Sequence, residues 1–188
     1  MLAVEGLAVS LALAYVILAI FQRRTCWLAG LLSAALYGLI FWNVQLYLQS
    51  ILQIFYISMS LYGWRAWHQQ SEDDPVAIHT KSWRFHLYAC LLTAGSSLIL
   101  GAAMAYWTNA KSPYIDAITT VAALLATWMV AQKLLENWLY WIVINFVSVG
   151  LYLSRDLILT AILFVGYLGL AAFGYRTWRH QWQQQTQA

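Results

Sequence analysis

One apolar stretch carries side chains suited to holding a small molecule: Glu136-Asn137-Trp138-Leu139-Tyr140-Trp141-Ile142-Val143-Ile144-Asn145-Phe146-Val147-Ser148. Trp138, Trp141, Asn145, Ser148 and Tyr152 follow i, i+3, i+7, i+10, i+14 spacing, which puts them on one face of a helix. Two indoles, an amide, a hydroxyl and a phenol suit a cavity that stacks a flat ring and hydrogen-bonds its substituents. The bland alternative is an interfacial tryptophan belt with polar contacts between helices. Trp138 lies near an end of the stretch, where a belt residue would sit. Asn145 lies in its middle, where an unpaired amide is costly.

A second stripe has Gln49, Gln53, Tyr56 and Ser60 at i, i+4, i+7, i+11. Two amides on one apolar helix need partners, supplied by other helices or by a ligand. Thr160, Phe164 and Tyr167 share a face further along, and Ser33 and Tyr37 sit at i, i+4. Glu5 and Asp116 begin two apolar runs. Each either caps a helix start, where the dipole favours negative charge, or belongs to a cation-attracting ring at a pore mouth. Thr119, Thr120 and Thr127 are expected to bond to their own helix. A cation over a desolvated Trp or Tyr face gains about 2 kcal/mol or more. Many aromatic faces with no carboxylate at the centre therefore suit a flat, delocalised cation.

The chemistry that is missing narrows the function. The sequence has no Walker A pattern, no HExxH and no GxSxG. His68, His79, His86 and His180 fall in or beside loops, so no mid-span haem or metal set is read. Cys26 and Cys90 form no CxxC or Cys/His metal spacing, and both map near the reducing side, where a disulfide is disfavoured. No catalytic residue, metal or cofactor is expected, and the chain is read as a non-enzyme. The apolar runs also lack a mid-span Asp, Glu, Lys or Arg relay of the kind that couples pumps to protons. Passive transport fits better.

These residues must be positioned by membrane-spanning helices. Hydrophobic residues make up 62% of the 188 and charged residues only 9%, with mean hydropathy +0.63. Soluble domains run about 45–50% apolar and about 25% charged. One soluble core of this size could not hide so much apolar surface. Soluble globular, disordered and nucleic-acid-binding classes are excluded, and a polytopic protein in a lipid bilayer remains. Aromatics at 16% exceed what interfacial belts need.

A span needs about 20 mostly apolar residues. Seven are read: Leu2–Phe21, Trp27–Trp42, Tyr47–Trp67, His86–Trp107, Tyr114–Gln132, Trp138–Leu153 and Leu157–Trp178. The first is read as a retained helix rather than a signal peptide. One side receives Arg23, Arg24, Arg65, Lys81, Arg84, Lys133, Arg176 and Arg179; the other receives Lys111 and Arg155. The positive-inside rule then puts the N-terminus outside and the C-terminus in the cytoplasm.

Shifted by 111 positions, the chain matches itself without a gap. Glu5 falls on Asp116, Trp27 on Trp138, Tyr56 on Tyr167, and Gly63, Arg65 and Trp67 on Gly174, Arg176 and Trp178. Leu46 and Leu48 likewise fall on Leu157 and Leu159, and Gln49 falls on Thr160. Each repeat holds three spans with one between them. An odd number of linking helices makes the repeats parallel, an arrangement found in secondary transporters with midplane sites. The expected fold is an all-α polytopic membrane protein with seven transmembrane helices in a 3+1+3 arrangement of parallel repeats. Its parts are residues 1–68 (first repeat), 69–85 (cytoplasmic linker with the solvated run Glu72, Asp73, Asp74, Pro75), 86–107 (connecting helix), 114–179 (second repeat) and 180–188 (cytoplasmic tail).

The Glu136–Ser148 stretch, with Leu61-Tyr62-Gly63-Trp64-Arg65-Ala66-Trp67, resembles the Pnu family of bacterial vitamin transporters. The resemblance runs from about Val4 to Trp182, and its Glu-Asn-Trp-x-x-Trp-x-x-x-Asn motif is quite specific. It implies a fold like that of full-length SWEET sugar transporters, in a bacterial inner membrane. It also implies facilitated diffusion, trapping of the vitamin by a cytoplasmic kinase, and a homotrimer. Carried over by motif, Trp138, Trp141, Asn145 and Ser148 would line the pocket, with Gln53 opposite. Gln49, Tyr56, Tyr152, Thr160, Tyr167, Tyr37 and Asp116 complete the expected substrate-binding set. Nicotinamide riboside is the first cargo expected and thiamine the close alternative, both flat aromatic cations with hydroxyl groups. A SWEET-type sugar transporter is a further alternative, because fold alone does not settle cargo.

Overall fold

The computed structural model describes residues 2–43, 47–68, 77–108, 112–154, 156 and 158–187. Among these are seven helices: α1 (Leu2–Ile20), α2 (Thr25–Asn43), α3 (Tyr47–His68), α4 (Trp83–Trp107), α5 (Pro113–Ala131), α6 (Asn137–Leu153) and α7 (Ile158–Gln187). The all-helical, multi-span architecture agrees with the sequence reading. Lys111 and Arg155, the acidic run Glu72 to Pro75, and the repeat pair Leu46 and Leu157 lie outside the described residues.

By length and composition α2, α4 and α5 can each cross a membrane; α1 and α6 offer apolar segments at Val4–Ile20 and Asn137–Leu153. The helices α3 and α7 are more polar. They carry Gln49, Gln53, Ser58, Ser60 and Thr160, and polar groups within spans belong on protein-facing surfaces rather than in lipid.

The repeat holds at the level of backbone. Helices α1, α3, α5 and α7 start 111 positions apart in pairs, Leu2 with Pro113 and Tyr47 with Ile158. Helix α1 ends in a Schellman turn: Gln22 N–H donates to Ala19 O at 3.0 Å and Arg23 N–H to Leu18 O at 2.9 Å, around Gln22 at φ 51°. Helix α5 ends with Lys133 at φ 50° and Leu134 N–H donating to Met129 O at 3.0 Å. The left-handed residue, usually glycine, is a side-chain-bearing residue in both turns.

The chain forms two compact units, residues 1–77 with 130–132 and residues 78–129 with 133–188. In the first, α2 packs on both α1 and α3. Trp27 (α2) meets Trp67 (α3) edge-on, centroids 5.5 Å apart at 86°, and lies over Gly63, where a Cβ would come within 2.3 Å of the indole. Only glycine admits the ring there. Tyr15 (α1) packs edge-on against the same indole at 5.7 Å. The Ser33 hydroxyl donates to Ala8 O at 2.9 Å. At the basic end Arg24 hydrogen-bonds His68 at 2.7 Å and lies over the Trp64 ring at 5.2 Å. Trp67 Nε1–H donates to Ala131 O at 3.1 Å.

The second unit repeats the packing motif. Trp138 (α6) meets Trp178 (α7) at 5.5 Å and 86°, and a Cβ on Gly174 would lie 2.7 Å from the Trp138 ring. A feature without counterpart among the described residues of the first unit is an extended segment before α4. His79 N–H donates to Lys133 O at 3.0 Å, and Leu135 N–H to His79 O at 2.9 Å. Ile78 N–H donates to Gln185 Oε1 at 3.0 Å, and Lys81 N–H to Glu136 Oε1 at 2.9 Å. The start of α4, the α5–α6 turn and the end of α7 are thereby tied together. Helix α7 accordingly continues past Trp178 through the residues expected as a tail.

Candidate functional site

Helix α6 sets the site because its polar face is turned inward. Trp138, Asn145 and Ser148 are buried, with Asn145 and Ser148 each 5% exposed, while Trp141 and Tyr152 are half-buried. Val143 and Phe146, on the opposite side, are 62% and 70% exposed. The stripe read from the sequence is therefore the face that leaves lipid.

Its members differ in what they are free to do. Trp138 has Gly174 beneath its ring and Trp178 at its edge, and its Nε1 is buried without a hydrogen-bond partner. That is the environment of Trp27 in the first unit, whose Nε1 is likewise unpartnered. Trp141 corresponds by the 111 shift to Gly30, so the second repeat gains an indole where the first has no side chain. No hydrogen bond to the Asn145 amide or the Ser148 hydroxyl forms among the described residues. Further along, Tyr152 packs against Phe164 at 5.0 Å and Phe164 against Tyr167 at 5.9 Å, joining α6 to α7. Thr160 is half-buried on α7.

In the first unit Gln53 and Tyr56 are half-buried and Gln49 is exposed. Gln53 lies against α2, its Cβ 3.5 Å from where a Cβ on Gly38 would stand. Tyr37 is half-buried and stacks on Phe41 at 5.5 Å. The Tyr15 hydroxyl, not singled out by any spacing, is buried without a partner. Asp116 is half-buried in the first turn of α5. Thr119 donates to Ile115 O at 2.9 Å and Thr127 to Ala123 O at 2.8 Å, each within its own helix as expected.

The second unit also holds a cavity of about 450 Å³ that the sequence reading missed. It lies among α4, α5 and α6, lined by His86, Cys90, Ile118, Glu136, Tyr140 and Val143 together with Thr93 and further apolar residues. None of the expected substrate-binding residues lines it. Nothing in local spacing connects His86 with Glu136, which come together through the segment before α4. Both cysteines are free, Cys26 buried and Cys90 exposed. No group of His, Cys, Asp and Glu among the described residues could hold a metal ion.

Comparison with known proteins adds a family to this geometry. Residues 2–180 match the family described as nicotinamide mononucleotide transporter. The nicotinamide riboside transporter PnuC of Escherichia coli (strain K12) is 24% identical over 190 aligned positions, covering 86% of this chain and 78% of that protein. The riboflavin/roseoflavin transporter RibM of Streptomyces davaonensis is 26% identical over 127 positions, covering 65% of this chain and 59% of RibM. The crystal structure of the vitamin B3 transporter PnuC superposes with a TM-score of 0.74 at 18% identity, covering 96% of this chain and 82% of that one.

Proposed function

The chain belongs to the nicotinamide mononucleotide transporter family, which makes it a membrane vitamin transporter of the PnuC type and not an enzyme, and from that premise we propose that its cargo is nicotinamide riboside. The observation that carries the reading is Asn145, a buried amide without a hydrogen bond among the described residues, one helical turn from the half-buried ring of Trp141. An amide that both donates and accepts suits a carboxamide or ribose hydroxyls, and an indole face suits a pyridinium. Ser148 adds hydrogen-bonding capacity, and Gln53 on α3 is a further candidate for contact with the cargo in the first unit. Trp138 serves as the packing residue that holds α6 on α7. Tyr152, Thr160 and Tyr167 in the second unit, and Tyr37, Gln49 and Tyr56 in the first, are further candidates for contact with the cargo, and Asp116 is a candidate for attracting cations.

The phosphorylated mononucleotide is a poorer fit. The described Lys and Arg residues lie in loops or near the ends of the apolar stretches, so no fixed cation is available to pair a phosphate in low dielectric. Thiamine, also a flat cation with a hydroxyl, is the competing cargo. The lack of a charged mid-span relay supports facilitated diffusion; the family resemblance is the support for a homotrimer and for a cytoplasmic kinase that traps the product. The eight-to-two distribution of Lys and Arg supports an outside N-terminus and a cytoplasmic C-terminus.

Uptake of labelled nicotinamide riboside by cells expressing the chain tests the cargo. Excess unlabelled riboside should abolish uptake and the mononucleotide should not. Stronger competition by thiamine than by the riboside would reassign the cargo.

A further inference from the structure

Helix α4 has little packing along its length. Its buried residues are Ala89, Ser97 and Gly101, one narrow stripe of small residues with Thr93 half-buried between them. Leu91, Leu92, Leu98 and Ile99 are all exposed. In lipid such a helix gains no hydrophobic drive to associate, so close approach and polar contacts must hold it. Close approach occurs toward its C-terminal end, where a Cβ on Gly101 would stand 2.5 Å from Tyr114 Cδ1 and 3.1 Å from Tyr114 Cα on α5. Further toward the N-terminus the packing opens into the cavity beside Cys90, Thr93 and Ala94. The N-terminal end therefore depends on a short series of ties. Phe85 lies against Trp128 of α5, centroids 6.3 Å apart, and His86 is hydrogen-bonded to Tyr140 of α6 at 3.1 Å. Just before the helix, Lys81 N–H donates to Glu136 Oε1 at 2.9 Å, and the His79 main chain pairs with Lys133 and Leu135.

The last tie comes from the polar end of α7, about two turns past Trp178. Gln185 Oε1 accepts from Ile78 N–H at 3.0 Å. Ile78 is 3% exposed, so water is a poor substitute for that acceptor. We infer that the end of α7, residues 179–187, is a latch that fastens the N-terminal end of α4 to the second repeat, so that α4, α6 and α7 move as one body while cargo is carried. The connecting helix is then a working part of the second repeat and not a passive spacer. A stretch that hydropathy reads as a tail is what holds it there. The consequence reaches the cargo site: α6, whose inward face carries Trp141 and Asn145, keeps α4 as its neighbour at its first turn throughout the cycle.

Hydrogen–deuterium exchange on the full chain in detergent tests the latch and needs no cargo. Gln185→Leu should speed exchange at Ile78 and His79 about tenfold, as the loss of one hydrogen bond does, and should speed it at Phe85 and His86 as well. Gln185→Glu, which keeps the acceptor, should exchange as the parent does. So should Gln184→Leu, at an exposed neighbouring position. Unchanged exchange in Gln185→Leu, or equal acceleration in Gln184→Leu, would overturn the latch. The shared motion is tested by bridging Cys90 on α4 to Val143→Cys on α6, two positions that line one cavity. A short bifunctional thiosulfonate makes the bridge in a Cys26→Ala background, and peptide mass spectrometry identifies it. Uptake of nicotinamide riboside should be the same before and after bridging. Uptake that is lost on bridging and returns on reduction would show α4 sliding past α6 and overturn the inference. This arm rests on the cargo proposed above: no uptake before bridging would count against that cargo, and the exchange result would then decide the latch. If Gln185→Leu does not fold, the bridged protein decides.

Discussion

The Trp138 indole stands so close to Gly174 that a single methyl group there would lie 2.7 Å from its ring carbons. Trp27 and Gly63 make the same contact in the first repeat, tighter still at 2.3 Å. In both, the indole then meets a second tryptophan edge-on at 5.5 Å and 86°. A duplicated contact this tight joins α2 to α3 and α6 to α7, and it holds α6 with the face that carries Asn145 turned inward.

Gly174→Ala and Gly63→Ala should therefore both lose stability, by about 1–3 kcal/mol as overpacking does. Gly63→Ala should be the worse of the two. Thermal unfolding in detergent, followed by tryptophan fluorescence, reads both. Equal midpoints for either variant and the parent would show that the rings can move aside.

Trp138 and Trp141 should separate stability from binding. Trp138→Ala removes a buried ring and should cost about 3–5 kcal/mol of stability. Trp141→Ala should fold normally and bind nicotinamide riboside about 30-fold more weakly, the equivalent of about 2 kcal/mol of cation–π attraction. Trp107→Ala, at an exposed helix end, should change neither. Titration calorimetry beside a melting curve distinguishes the three.

Asn145→Leu should leave the fold intact, because the amide has no hydrogen bond among the described residues to lose. Affinity should fall by about 1–3 kcal/mol, roughly 5- to 150-fold. A variant that binds normally would make Asn145 a packing residue.

Gln22 holds the left-handed position of the α1–α2 turn. A β-branched residue is strained there, so Gln22→Val should lose about 1–2 kcal/mol of stability, whereas Gln22→Asn, which tolerates that conformation, should not. The comparison of melting midpoints checks both.

Much of this was legible in the residues. The start of α3 at Tyr47, the start of α1 at Leu2 and the ends of α4 and α6 fall where hydropathy places them. The 111-residue register reaches down to the turn residues Gln22 and Lys133. The end of α7 was not legible. Past Trp178 the chain is polar, so a hydropathy pattern stops, yet no Gly or Pro interrupts it and Gln185 is tied to Ile78. Helical periodicity grouped Trp138 with Trp141, but periodicity assigns a face and not what covers it. The signal that separates the two was present in the repeat: Trp138 and Gly174 recur together as Trp27 and Gly63, as a packing pair does, while Trp141 replaces Gly30. The His86–Glu136 cavity was hidden because its halves are 50 residues apart and meet only through the segment before α4.

Counterflow in proteoliposomes tests the central claim most directly. Vesicles holding the purified chain and loaded with unlabelled nicotinamide riboside should transiently accumulate labelled riboside from outside, with no ion gradient applied. Accumulation no greater than in protein-free vesicles, or accumulation only under a proton or sodium gradient, would contradict facilitated transport of this cargo.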